Sequence, residues 1–300
     1  MVDKVTINRF DKTAVYETFT KSGMVGASPD GPWPEPKFVD YVFGKNNWDG
    51  ITYFTDKTLH MAQIAKSKYK IAILLEPREF MPQIYKQILL YENFFDVILT
   101  FDDQLLNLNN KKYVFLPGGM PIIELKSCKI HKKNKLVSMI YSDKKTTTGH
   151  KLRHIIADQM LQKIKFRKID LFGSGTNRPI RLKSTGCNDY MFQIVIENNK
   201  NKNYFSEKIL DCFITGCIPI YWGATNIGEW FDDRGILQFN SPNELKKILD
   251  SLNEEKYISM MEHVKTNFKL VQKYQNPDDN IFLIIDQKLN LKKGVYNESL

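Results

Sequence analysis

Tyr190-Met-Phe-Gln-Ile-Val-Ile-Glu-Asn-Asn-Lys-Asn-Lys-Asn-Tyr-Phe-Ser-Glu-Lys-Ile-Leu-Asp-Cys-Phe-Ile-Thr-Gly-Cys-Ile-Pro-Ile-Tyr-Trp-Gly223 reads as a strand, a loop, a helix and a second strand. Tyr190–Ile196 is a buried strand that delivers Glu197 and Asn198 to its carboxyl end, the edge where open parallel sheets bind ligands. The polar loop Asn199–Phe205 leads to Ser206, a natural helix N-cap. Ile209, Leu210, Phe213 and Ile214 then fall on one helical face, and Gly216 stands where a helix ends. The helix start offers unpaired N–H groups and a partial positive charge, a seat for a diphosphate, and Lys208 adds a full charge there. A helix returning the chain to Ile218–Trp222 makes the two strands parallel.

The alternation extends in both directions. Upstream, Val5–Phe10, Ile51–Phe54, Lys70–Leu75, Phe95–Thr100 and Tyr113–Leu116 read as strands, with helices over Leu59–Ser67 and Met81–Tyr91. Ser28-Pro-Asp-Gly-Pro-Trp-Pro-Glu-Pro36 must be a loop. The basic, aperiodic stretch Lys126–Lys135 marks a boundary. Beyond it, strands at Leu136–Tyr141 and Ile169–Phe172 flank a helix over His150–Ile164. A strand over Gly235–Phe239 and helices over Pro242–Leu252, Glu255–Lys273 and Ile281–Leu289 close the chain. The expected fold is α/β with two facing Rossmann-like domains and a cleft between them. An N-terminal domain covers residues 1–130 and a C-terminal one 131–275, and the helix in 276–300 is placed back on the first.

The composition fits a folded soluble protein: 300 residues, 42% hydrophobic, 12% aromatic and 26% charged. No apolar run is long enough to cross a membrane, and Met1-Val-Asp-Lys-Val-Thr-Ile7 lacks a signal-peptide core. The expectation is a soluble chain working in the cytoplasm, or one trimmed of a targeting segment. Cys128, Cys187, Cys212 and Cys217 form no CxxC pair and read as reduced and structural. The net charge is +9, and Lys126–Arg153 holds nine Lys or Arg against one acid, Asp143. Such a block can attract nucleic acid, but base stacking needs interleaved aromatics and only Tyr141 lies there. A solvated linker and helix face explains most of these lysines.

The spacing Glu197-Asn198, five residues, Tyr204, two residues, Glu207-Lys208, followed by Ile218-Pro-Ile-Tyr-Trp-Gly223, resembles the donor-binding motif of the α1,3-fucosyltransferase family. Leu136–Arg153 is similar to that family's strand, turn and helix bearing a donor-binding arginine, here Arg153 after the turn Ser142-Asp143. Ile71–Pro82, with Leu75-Glu-Pro-Arg-Glu79, looks like its strand ending in a catalytic glutamate, here Glu76, outside the usual Gly-Glu-Asn context.

The resemblance implies a GT-B architecture and an inverting transfer of fucose from GDP-fucose to a glycan or glycoconjugate acceptor. Asn198, Tyr204 and Lys208 would hold the donor's diphosphate and ribose, with Glu197 in the same donor-binding set. Glu207 would take ribose or sugar hydroxyls, and Arg153 would pair with the diphosphate. Glu76 would be the general base. No metal is expected: the chain has no Asp-x-Asp, and protein cations can hold the leaving GDP.

Other readings stand beside these. Glu79 competes with Glu76 as base, and an ion pair with Arg78 is a third use of Glu76. His150 and His154 have a metal-compatible spacing but no third ligand and read as cleft or surface histidines. Gly173-Ser-Gly-Thr176 is a weak phosphate-loop signal. The donor could be a UDP sugar on the same fold, or the chain a catalytically silent relative.

Overall fold

The computed structural model describes residues 4–10, 36–108, 110–116, 119, 122–123, 125–161 and 169–291. The Pro-rich loop lies outside these residues except for Pro36, as do positions 162–164 of the expected helix and residues 292–300.

Two all-parallel sheets are built in succession. The first takes strands β1 (Val5–Phe10), β2 (Val39–Phe43), β3 (Ile51–Thr55), β4 (Tyr69–Ile73), β5 (Val97–Thr100) and β6 (Tyr113–Phe115) in the order β2-β1-β3-β4-β5-β6. The second takes β7 (Lys135–Ile140), β8 (Ile169–Phe172), β9 (Tyr190–Ile196), β10 (Ile218–Trp222) and β11 (Leu237–Gln238) in the order β11-β10-β9-β7-β8. In both, the chain steps outward once and then reverses past its starting strand. The reversal leaves a crevice at the carboxyl ends of β1 and β3 in one sheet and of β7 and β9 in the other.

Helices among the described residues are α1 (Pro82–Tyr91), α2 (Asp103–Leu106), α3 (Thr148–His154), α4 (Glu207–Thr215), α5 (Pro242–Asp250), α6 (Glu254–Ser259), α7 (Met261–Val271) and α8 (Pro277–Leu289). Each sheet is covered on both faces, which is why its strands read as continuous apolar runs rather than alternating ones. Phe192, Ile194 and Ile196 of β9 pack under Leu245, Leu249, Tyr257 and Val264. Val195 on the opposite face packs under Ile209, Leu210, Phe213 and Ile214 of α4, the apolar face read from the sequence. Burying each such side chain contributes roughly 1.5–3 kcal/mol. In the first half, Leu59, Ile84, Tyr85 and Ile88 cover one face of the sheet. The other face is covered by α8, through Ile281, Phe282 and Ile285. Asp279 at the start of α8 accepts from the backbone N–H groups of Lys37 and Phe38, and Asp278 accepts from the Tyr41 hydroxyl.

Several elements differ from the sequence expectation. The helix expected over Leu59–Ser67 is a 3-10 helix, Asp56–Gln63. β2 was not anticipated, and the strand expected over Gly235–Phe239 shortens to two residues. The single helix expected over Glu255–Lys273 breaks at Met260, because its parts answer to different anchors. Tyr257 donates to the Gly216 carbonyl, whereas Asn267 is tied to the backbone of Asp232. α3 passes at Ile155 into a π-helical segment, Ile155–Leu161. No helix among the described residues is long and apolar enough to cross a membrane.

Candidate active site

The crevice between β7 and β9 holds a cavity of about 340 Å³. Its walls come from strand ends and helix starts: Tyr141 and Ser142 after β7, Gly173 and Ser174 after β8, and Ile196 at the end of β9. Arg153, Glu207 and Lys208 line it from α3 and α4. Asp143 and Ser174 tie the two loops together by a hydrogen bond of 3.0 Å. Gly173 adopts φ +106°, where a Cβ would collide with the Tyr141 carbonyl. The Gly-x-Gly turn therefore borders the cavity.

At the start of α4, Ser206 caps the helix and the left-handed Gly216 ends it. Lys208 Nζ lies 2.9 Å from Ser206 Oγ, 3.0 Å from Glu207 Oε1 and 3.4 Å from Glu197 Oε2. Burial pushes the Glu207 carboxyl up, but the charge and hydrogen bond of Lys208, with help from Lys183, outweigh it and bring it down to about 2. Burial in turn lowers Lys208, and the charges of Glu207 and Glu197 reverse this, leaving it raised. Each group thus favours the charged form of the other.

Arg153 is 5% exposed. It donates through Nε and Nη2 to the Ile196 carbonyl and through Nη2 to Asn198 Oδ1 at 3.0 Å. The arginine is held rigidly against the end of β9 while still lining the cavity. This closeness requires Gly149, whose N–H donates to the Asn198 carbonyl. A Cβ at 149 would collide with the Glu197 carbonyl oxygen and stand 2.9 Å from Asn198 C and O. Gly149→Ala is expected to cost about 3 kcal/mol and to weaken nucleotide binding by splaying α3 from β9. Urea unfolding checks this as a shifted midpoint with unchanged slope.

The expected donor residues divide into two groups. Arg153, Glu207 and Lys208 line the cavity, whereas Glu197, Asn198 and Tyr204 are not among its lining residues. Glu197 is fully buried, its oxygens accepting from Ser206 N at 2.9 Å and Ser206 Oγ at 2.6 Å. Its Oε2 also lies 3.4 Å from Lys208 Nζ. Asn198 is the acceptor for Arg153. Tyr204 is buried against Phe101 of the first half, with ring centroids 5.0 Å apart.

Glu76 follows β4 and faces the same region from the other half. Burial raises its carboxyl above the usual range, while Lys208 opposes this from across the cleft. Its neighbours are engaged elsewhere. Arg78 pairs with Asp102 at 2.8 and 3.2 Å, and Glu79 accepts from Thr148 and Asn199. Tyr85 donates to the Glu76 carbonyl, pinning its backbone.

His150 is buried, and burial together with the charges of Arg153, Lys144 and Lys208 lowers it to about 4. It stays neutral and closes a capping box with Thr147 at the start of α3. His154 contacts Asp158 and the Lys144 carbonyl. The four cysteines are free. Two charged cavity residues escaped the sequence reading: Lys183, and Asp211, whose carboxylate accepts from Ile122 N at 2.7 Å. Lys183 carries no motif signal. Asp211 lies inside an apolar helix run, and a buried acid there was the available clue.

Two parallel α/β halves facing a cleft, with an anion-suited cavity at the second half's switch point, define the GT-B class of glycosyltransferase fold. The chain belongs to glycosyltransferase family 10 (fucosyltransferase), whose C-terminal model matches residues 130–282. It is 28% identical over 98 residues to alpha-(1,3)-fucosyltransferase FucT of Helicobacter pylori, a match covering 33% of this chain and 19% of that protein. It is 33% identical over 81 residues to alpha-(1,3)-fucosyltransferase B of Drosophila melanogaster, covering 25% and 18%. The matched part thus spans under a fifth of the length of these curated relatives. A solved alpha1,3-fucosyltransferase with GDP aligns over 100% of this chain and 94% of its own at TM-score 0.53 and 13% identity, a likeness of fold.

Proposed function

We propose that this chain moves fucose from GDP-fucose to a hydroxyl of a glycan or glycoconjugate acceptor, inverting the anomeric carbon. The observation that carries the proposal is the cavity at the β7–β9 switch point, where Arg153 and Lys208 converge on the N-terminus of α4. The diphosphate lies across that helix start, and Glu207 takes a ribose or sugar hydroxyl. Asn198 and Glu197 orient the two cations, and Tyr204 closes the donor end against Phe101. Glu76 removes the acceptor hydroxyl proton as that oxygen attacks the anomeric carbon. The bond to the phosphate oxygen breaks, and GDP departs with its charge held by Arg153 and Lys208. These cations do the work for which other enzymes use a divalent ion, so no metal is required. Residues 1–130 serve the acceptor and 131–275 the donor, and α8 returns to the first half.

Calorimetry in EDTA with GDP, GDP-fucose, UDP and UDP sugars tests the reading. GDP and GDP-fucose are expected to bind at least tenfold more tightly than their UDP counterparts, a discrimination of about 1.4 kcal/mol. Preference for a UDP sugar would move the chain to another donor on the same fold. Binding that appears only with manganese would overturn the metal-free mechanism.

A further inference from the structure

Glu79 is an exposed side chain three residues beyond the proposed base, yet its carboxylate is fully occupied by the opposite half of the molecule. Oε1 accepts from Thr148 N and Thr148 Oγ1, both at 2.7 Å, and Oε2 accepts from Asn199 Nδ2 at 2.6 Å. The partners lie 69 and 120 residues away in the chain. Thr148 is the first residue of α3, the helix that carries Arg153, and Asn199 follows Asn198, which receives the Arg153 guanidinium. One carboxylate thus grips both sides of the Arg153–Asn198 pair from outside. The Thr148 N–H is also the positive end of a helix, where a carboxylate is favoured.

We propose that Glu79 is a positioning residue: it latches the first half onto the Thr148 and Asn199 segments and so sets the Arg153–Asn198 cradle for the donor's diphosphate. Because it shares a turn with Glu76, the same contact brings the base to the cradle, and cradle and base are assembled together. The inference rests on reading the cavity as the donor site. Hydrogen bonds to an exposed carboxylate add little net folding stability, so the effect belongs in donor binding rather than in unfolding.

The geometry allows an exchange test. Glu79→Gln sets an amide against the Asn199 amide, and Asn199→Asp sets two carboxylates face to face. Combining the two substitutions restores one donor and one acceptor, with the total charge unchanged. Calorimetry with GDP on the full chain should show about tenfold weaker binding for Glu79→Ala and for each exchange alone, the scale of a lost charge-assisted bond. The combined variant should recover to within about threefold of the unaltered chain. Thermal midpoints should stay together, and the acid limb of the transfer pH profile should persist in Glu79→Gln. If the unaltered chain fails to bind GDP, the donor-site reading fails. If it binds GDP and Glu79→Ala binds equally well, or the combined variant is no better than the worse single, the latch is overturned and the donor site stands.

Discussion

Glu76→Gln should cut transfer by roughly 10²–10⁴-fold, the usual size of a lost acid–base contribution, while leaving GDP affinity within about threefold. The carboxylate follows a buried strand, and its charged neighbours are engaged elsewhere: Arg78 with Asp102 and Glu79 with Thr148 and Asn199. Burial lifts its pKa above the usual carboxylate range. Only the ionised form can accept a proton, so transfer must fall as pH drops through that raised value. The acid limb therefore lies higher than an exposed glutamate would give, and Glu76→Gln abolishes it. A rate–pH profile on saturating donor decides the matter. If the limb survives in Glu76→Gln and vanishes in Glu79→Gln, the base has been assigned three residues too early.

Lys208→Ala is expected to have two separable consequences. Donor affinity should fall by about 10–100-fold, as for the loss of a charged hydrogen bond of 1.5–3 kcal/mol. Stability should fall as well, by about 3–5 kcal/mol, because Glu197 is fully buried and Lys208 is its neighbouring cation. Pairing Lys208→Ala with Glu197→Gln should recover much of the stability and none of the affinity. Arg153→Lys should behave like a loss rather than a conservative change, since one ammonium cannot hold the Ile196 carbonyl and Asn198 while facing the cavity. Chemical denaturation and calorimetry on the same samples separate the effects. Unchanged nucleotide binding in both Lys208→Ala and Arg153→Lys would falsify the diphosphate assignment.

The fold was legible because apolar runs such as Tyr190–Ile196 and Ile218–Trp222 can only be strands buried on both faces. The Ser206 cap and the Gly216 stop framed α4 for the same reason: each residue type serves a specific backbone need. What escaped depends on partners distant in the chain. Val39–Phe43 holds strand-forming residues, but it is short and follows the Pro-rich loop, and its partner β1 lies on the far side of that loop. Within the site, spacing found Glu197, Asn198 and Tyr204 but could not say which side chains line the cavity. Strand pleat and helix phase decide that, along with partners such as Phe101. The contacts of Glu79 were illegible because Thr148 and Asn199 lie in the other half, 69 and 120 residues away. The capping box of α3 was hidden because His150 stands where glutamate or glutamine is usual.

The return of α8 to the first sheet carries a mechanical consequence. The polypeptide crosses between the halves twice, once between β6 and β7 and once between α7 and α8. A body tethered at one point can swivel about any axis through it, whereas two tethers leave free rotation only about the line that joins them. Any relative movement of the halves is thereby confined to a single arc, like that of a door on two pins, which keeps Glu79 in register with Thr148. Cutting either crossing would free the swivel without parting the halves.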